Sequence, residues 1–136
     1  MNIKPLVTIR CMTYNHAPYI TDAMNGFSMQ KTNVPFVAVI VDDASTDGEP
    51  EVIKSYLNEH FLMREARQWE TEDASFIEAR NKENENCWFA VVLLKYNFWQ
   101  KRKDKSPLTS KWYKDAKYIA WCEGDDFWTA SDKLQK

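Results

Sequence analysis

The sequence predicts an α/β domain with a mostly parallel sheet flanked by helices, and three observations predict it. Strand-like and helix-like segments alternate from Leu6 to His60, the order of a right-handed parallel crossover. Phe36 to Val41 ("FVAVIV") is apolar throughout, as a strand covered on both faces must be. Each strand-like segment also runs out abruptly into polar residues, and in open parallel sheets ligands bind beyond the strands' carboxyl ends.

The elements follow in order. Leu6 to Cys11 ("LVTIRC") is β-rich and alternating, and gives the first strand. After the polar elbow "TYNHAP", Tyr19, Ile20, Ala23, Met24 and Phe27 share one helix face, with Pro18 suited to the first turn. "TNVP" stops that helix before the second strand, Phe36 to Val41, which ends in "DDASTDGEP". Pro50, the first-turn acids Glu49 and Glu51, and the stripe Val52, Ile53, Tyr56 and Leu57 mark a second helix. Arg64 to Asp73 is charged and weakly periodic, which leaves a short strand or a loop open. Between Glu85 and Arg102, the spacing of Trp88, Val92, Tyr96 and Trp99 predicts a helix with this face in the core. "KRKDKSPLTSK" reads as a solvated loop, part of an insertion over 101–116. Tyr118 to Cys122 reads as another buried strand, and Ser131 onward as the start of a helix.

Composition limits the function classes. At 136 residues the chain fits one domain able to bury its own core. A net charge of -2 provides no overall basic field for nucleic acid. Three cysteines without a CxxC pair suggest reduced thiols rather than a disulfide framework or zinc site. The apolar run Cys87 to Leu94 is too short to cross a bilayer. No signal peptide is visible, so a soluble, cytoplasmic domain is expected.

Three polar clusters share one position in this scheme: "TYNH" after the first strand, "DDASTD" after the second and "EGDD" after the last. Asp42, Asp43, Asp47, Asp125 and Asp126 would repel one another in a common crevice, and a divalent cation is the usual relief. Carboxylate oxygens select magnesium, manganese or calcium over zinc. Tyr14 offers a flat face and a hydroxyl to a base ring, and a deeper carboxylate can accept from a ring N–H. The residues point to a metal–nucleotide site without the Gly-rich, Lys-bearing phosphate loop of P-loop enzymes. Plainer uses exist for each. Asp42 and Asp43 suit a turn and a helix cap, with Ser45 and Asp47 acting similarly. Asp125 and Asp126 suit a cap, and Tyr14 an ordinary half-buried tyrosine. His16 and His60 read as packing or surface residues rather than ligands.

"VTIRCMTYNHAPYITDAM", "VIVDDASTDG" and "YIAWCEGDDFW" resemble the three signatures of family 2 glycosyltransferases, which have the GT-A fold. "EGDDFW" followed by "DKLQK" is similar to a bacterial subgroup that builds surface polysaccharides. The resemblance covers residues 5–60 and 117–136 well and the middle poorly. It implies a single nucleotide-sugar-binding domain over 1–136, the N-terminal part of a longer inverting enzyme. Thr13, Tyr14 and Asn15 would border the base, and Asp43 would accept from a uracil-like ring. Asp42 would support the turn, Asp125 would face the ribose or diphosphate, and Asp126, with Asp125, would ligate manganese or magnesium. The implied partners are a nucleotide-diphosphate sugar, UDP by default, and a glycan or lipid-linked acceptor, with peripheral association at the inner face of the plasma membrane.

The chain departs from that pattern in places. Met12 stands where relatives often have Pro. Asn86 and Lys95 are the nearest counterparts of the family's nucleotide-holding Asn and basic residue, and Glu123 stands where many relatives carry another acid. The general base is expected beyond residue 136, in the acceptor-side part. Two other classes compete. A phospho-acceptor receiver also uses paired acids at strand ends, although its pair follows the first strand, where "TYN" stands here. A non-catalytic interaction module would keep the fold alone.

Overall fold

β1 (Val7–Thr13), α1 (Ala17–Ser28), β2 (Phe36–Asp42) and α2 (Glu49–His60) come in the predicted order, in a computed structural model that describes residues 4–124. The expected helix from Ser131 lies outside those residues, as do Asp125 and Asp126. β3 (Arg67–Glu70), β4 (Ala74–Arg80), β5 (Cys87–Leu94), α3 (Ser106–Tyr113) and β6 (Tyr118–Trp121) complete the described elements, with a short 3-10 turn at Met63–Glu65.

The six strands form one sheet in the order β3-β4-β5-β2-β1-β6. β2 pairs in parallel with β1 and β5, and β1 with β6, whereas β3 and β4 are antiparallel to their neighbours. The sheet is therefore mostly parallel, with an antiparallel flank. The period-two alternation sorts the core by face. Ile9, Cys11, Ala38, Ile40, Phe89 and Val91 meet Ile20, Met24 and Phe27 of α1 and Ile53 and Leu57 of α2. On the other face, Val37, Val39, Val41, Ala90 and Val92 meet Phe98 and Trp112. Every residue of β2 is buried, as its continuous apolar run requires.

The structure corrects several expectations. The segment predicted helical around Trp88 and Val92 is β5, a central strand. A short, β-branched and aromatic run paired on both edges gains more as a strand than a few residues at helical spacing could provide. The ambiguous stretch 64–73 holds the 3-10 turn and β3, and β4 was not foreseen. The loop expected over 101–116 contains α3, which docks through its Trp112. The Trp112 Nε1 hydrogen bonds to the buried Glu78 at 2.8 Å, and the Thr8 hydroxyl bonds the Trp112 carbonyl at 2.6 Å. β6 is an edge strand rather than a buried one: it pairs with β1 on one side, and Tyr118, Ile119 and Trp121 are exposed. Tyr19 is likewise exposed, while Ile20, Ala23, Met24 and Phe27 hold the inner face of α1. Cys11, Cys87 and Cys122 are buried, and burial pushes the Cys87 thiol far up in pKa. No helix among the described residues is long and apolar enough to cross a membrane.

Candidate functional site

The parallel register places Thr13 opposite Asp42, so the elbow after β1 and the acidic loop after β2 leave the sheet side by side. Each then turns through a left-handed residue, Asn15 at φ 54° and Ala44 at φ 58°. An L-residue there costs roughly 1–2 kcal/mol, least for Asn, so other contacts must hold the turns. They do so reciprocally. The Asn15 N–H donates to Ser45 Oγ at 2.9 Å, and the Thr46 N–H donates to Asn15 Oδ1 at 2.8 Å. The Ala17 N–H donates to Asp47 Oδ2 at 2.9 Å. Asp42 holds the turn itself, accepting from the Ser45 N–H at 3.1 Å and the Ser45 hydroxyl at 2.5 Å.

Glu49 lies beneath this clasp with no exposed surface. The Thr13 hydroxyl lies 2.8 Å from each of its carboxylate oxygens, and the His16 N–H donates to Oε1 at 2.9 Å. Burial first, and then the neighbouring Asp42 carboxyl, push the Glu49 pKa from its ordinary 4.5 to about 7. Sequence reading found Glu49 only as a first-turn acid. Nothing local in "DGEPEV" announces that its side chain turns back under the β1 elbow.

The third cluster closes on the same point. The Cys122 N–H donates to the Arg10 carbonyl at 3.0 Å and the Gly124 N–H to the Met12 carbonyl at 3.2 Å, extending the β6–β1 contact past the strand. A Cβ at position 124 would stand 2.1 Å from Thr13 Oγ1 and 2.9 Å from His16 Nδ1, so only glycine allows this approach.

These elements border a cleft of about 400 Å³ that includes Thr13, Tyr14, His16, Asp43, Asn97, Trp99, Lys105 and Glu123. Tyr14 is 41% exposed and Asp43 only 7%. The Asp43 carboxylate accepts from the Phe98 N–H at 2.7 Å and the Trp99 N–H at 3.2 Å, which fixes the loop after β5. Each of its oxygens keeps a second lone pair for a ligand. Trp99, expected in the core, is 80% exposed at this cleft, because β5 ends at Leu94 and the supposed helix face does not exist.

Other candidate residues lie elsewhere. Asn15 braces the two loops and does not line the cleft. Asn86 sits at the opposite end of the sheet, donating to the Thr32 carbonyl at 2.8 Å, and Lys95 pairs with Glu70 at 2.6 Å. His16 is more engaged than an isolated surface residue, through Glu49, Thr13 and the cleft itself. Among the described residues no group of three acid, histidine or cysteine side chains gathers to hold a metal ion. The expected ligands Asp125 and Asp126 lie outside the described residues. A wider groove of about 910 Å³ lies at the opposite end of the sheet, among Asn25, Tyr56, His60 and Asn81–Asn86. Its acids, Glu59, Glu83 and Glu85, come from the end of α2 and the β4–β5 loop rather than from the carboxyl ends of the parallel strands.

Comparison with known proteins places this fold. No family model matches the chain. Uncharacterized proteins of Mycobacterium bovis and Mycobacterium tuberculosis are 29% identical to it over 130 residues, covering 96% of the chain and 30% of their own length. TuaG of Bacillus subtilis, named for a glycosyltransferase role in teichuronic acid biosynthesis, is 27% identical over 135 residues, covering 99% of the chain and 41% of that protein. The mannosyltransferase PcManGT of Pyrobaculum calidifontis, solved with GDP-Man and Mn2+, superposes with a TM-score of 0.59 at 20% identity, over 98% of this chain and 31% of that one. TarS of S. aureus with UDP superposes at 0.56 and 20% identity, over 95% of this chain and 30% of that one. The chain thus has the α/β fold of these glycosyltransferases, the class its three motifs resemble. It spans about 30% of the length of the mycobacterial relatives.

Proposed function

We propose that this chain is the donor-binding portion of an inverting, divalent-metal-dependent glycosyltransferase. The donor is a sugar on a nucleotide diphosphate, UDP by default. The acceptor is a hydroxyl of a glycan or lipid-linked molecule in cell-surface polysaccharide synthesis at the cytoplasmic side of the membrane. One observation carries the proposal: Tyr14, Asp43 and Glu123, from three separate strand ends, line a single cleft. The UDP complex of TarS and the GDP-Man complex of PcManGT, proteins of the same fold, support a nucleotide sugar as the ligand. The likeness to TuaG supports a surface-polymer product.

In this reading Tyr14 stacks on the base, and Asp43 accepts from the ring N–H while its backbone-bound geometry stops it swinging away. Trp99 supplies a second apolar wall that excludes water from the base. Adjacent carboxylates are a donor set that suits a hard divalent cation, and Asp126 with Asp125 would hold one. Such a cation, when bound, offsets the negative charge of the diphosphate. An acceptor hydroxyl, giving its proton to a general base, attacks the anomeric carbon opposite the diphosphate; the new glycosidic bond forms as the bond to the departing nucleoside diphosphate breaks, and the configuration inverts.

A phospho-acceptor receiver fits less well. That fold uses an all-parallel sheet in the order 2-1-3-4-5, whereas β3, β4 and β5 here are joined antiparallel. A thermal-shift titration with UDP, other nucleoside diphosphates and manganese, with and without chelator, tests the proposal. Binding at a hundredfold excess over Kd adds about 2.7 kcal/mol to the native state and raises the Tm. The proposal fails if no nucleotide shifts the Tm, or if Asp126→Ala leaves a metal-dependent shift intact.

A further inference from the structure

A second cleft, of about 540 Å³, adjoins the first: Trp99 and Lys105 line both. It is basic, with Arg10, Arg102, Lys103 and Lys105 in its wall. The sequence alone presented the "KRKDK" run as a solvated loop. In the fold, three observations set it apart from one.

The cluster's carboxylates are already committed. Lys103 pairs with Asp73 at 3.3 Å and bonds the Tyr96 hydroxyl, and Asp104 accepts from the Ser106 N–H at 2.9 Å at the start of α3. Among the described residues no carboxylate forms an ion pair with Arg10 or Arg102, while Lys105 acts on the neighbouring Asp104. Arg10 is also out of place as a solvated charge. It projects from the middle of β1, its guanidinium carbon lies 4.6 Å from the Trp121 ring centroid, and its Nε is buried without a hydrogen-bond partner. A buried donor left unpaired costs free energy unless water or a ligand satisfies it. Finally, four cations and one carboxylate, Asp104, line this cleft on a chain whose net charge is -2, so a general attraction for anions does not explain them.

We propose that this cleft binds an anionic group, phosphate or carboxylate, carried by the acceptor. The planar guanidinium of Arg10 suits two-point binding of either group, and Lys105 and Arg102 add charge around it. Lys105 and Trp99 form the border, so an acceptor anchored here presents its hydroxyl towards the donor cleft. The proposal rests on the donor reading above and specifies its acceptor class. The other source of such an anion is the donor's own diphosphate.

Calorimetric titration of the chain saturated with UDP and manganese separates these sources. The titrants are a short glycerol phosphate oligomer, a galacturonate oligomer and a neutral glucose oligomer of equal length. At least one anionic oligomer is expected to bind with UDP in place, and the neutral one is not. Arg10→Gln should weaken that binding by about tenfold or more. Arg102→Asn, which tolerates the left-handed φ of 53° at that position, should weaken it without changing UDP affinity. The acceptor inference is overturned if neither anionic oligomer binds, if UDP displaces them, or if both variants bind them as the wild type does. Failure of UDP itself to bind overturns the donor reading instead.

Discussion

At the residue scale, a few side chains take their roles from their surroundings. Glu49 is an acid at a helix N-terminus, where the dipole favours negative charge, yet burial and Asp42 outweigh that preference. Its folded pKa of about 7 lies above the unfolded 4.5, so the native state binds more protons in that interval. The contribution of Glu49 to stability should therefore be full below about pH 4.5, fall as pH rises towards 7, and level off above it. Urea melts across that range test this, and Glu49→Gln should flatten the slope while keeping an oxygen for the His16 N–H. Glu49→Ala leaves that N–H unsatisfied and should cost about 1–3 kcal/mol. Gly124→Ala drives a methyl group into Thr13 and should cost about 1–3 kcal/mol, read as a lower Tm. Tyr14→Ala should leave the Tm nearly unchanged and weaken UDP binding by about 1–3 kcal/mol, the value of one stacked base.

At the element scale, legibility followed how local each element's cause was. α1, α2 and β2 were readable because proline placement, a helical stripe and an unbroken apolar run are written in consecutive residues. β5 was misread because Trp88 and Val92 fit a helical period by chance, while the strand's true determinants are its partners β2 and β4, distant in sequence. α3 was missed because it is held by Glu78 and Thr8 rather than by a long stripe of its own. Trp112→Phe keeps an aromatic ring but removes the Nε1–H bond to the buried Glu78, which retains Arg67 and Lys111 at 3.9 Å. It should cost about 1–3 kcal/mol in a denaturant titration, whereas a solvated loop would be indifferent. β6 showed its apolar character in sequence, but not that Tyr118 and Trp121 would face outward at a sheet edge.

At the scale of the whole molecule, the convergence of three strand ends followed from topology once β1, β2 and β6 were recognised as strands. Tyr14, Asp43 and Glu123 were legible for that reason. Trp99 was not, since it reaches the cleft through the loop after β5; His16 was read as a packing or surface residue, and Glu49 at the start of α2 packs beneath the cleft through contacts that no short motif encodes. The central claim is that a nucleotide binds at this convergence and not in the wider groove at the other end of the sheet. Amide shift mapping by NMR on the labelled chain, titrated with UDP and magnesium, addresses it most directly. Perturbations are expected to cluster at Tyr14, Asp43, the loop from Asn97 to Gln100, and Glu123, and Asp43→Asn to weaken them. Perturbations centred on Asn81 to Asn86, or none at saturating UDP, would contradict it.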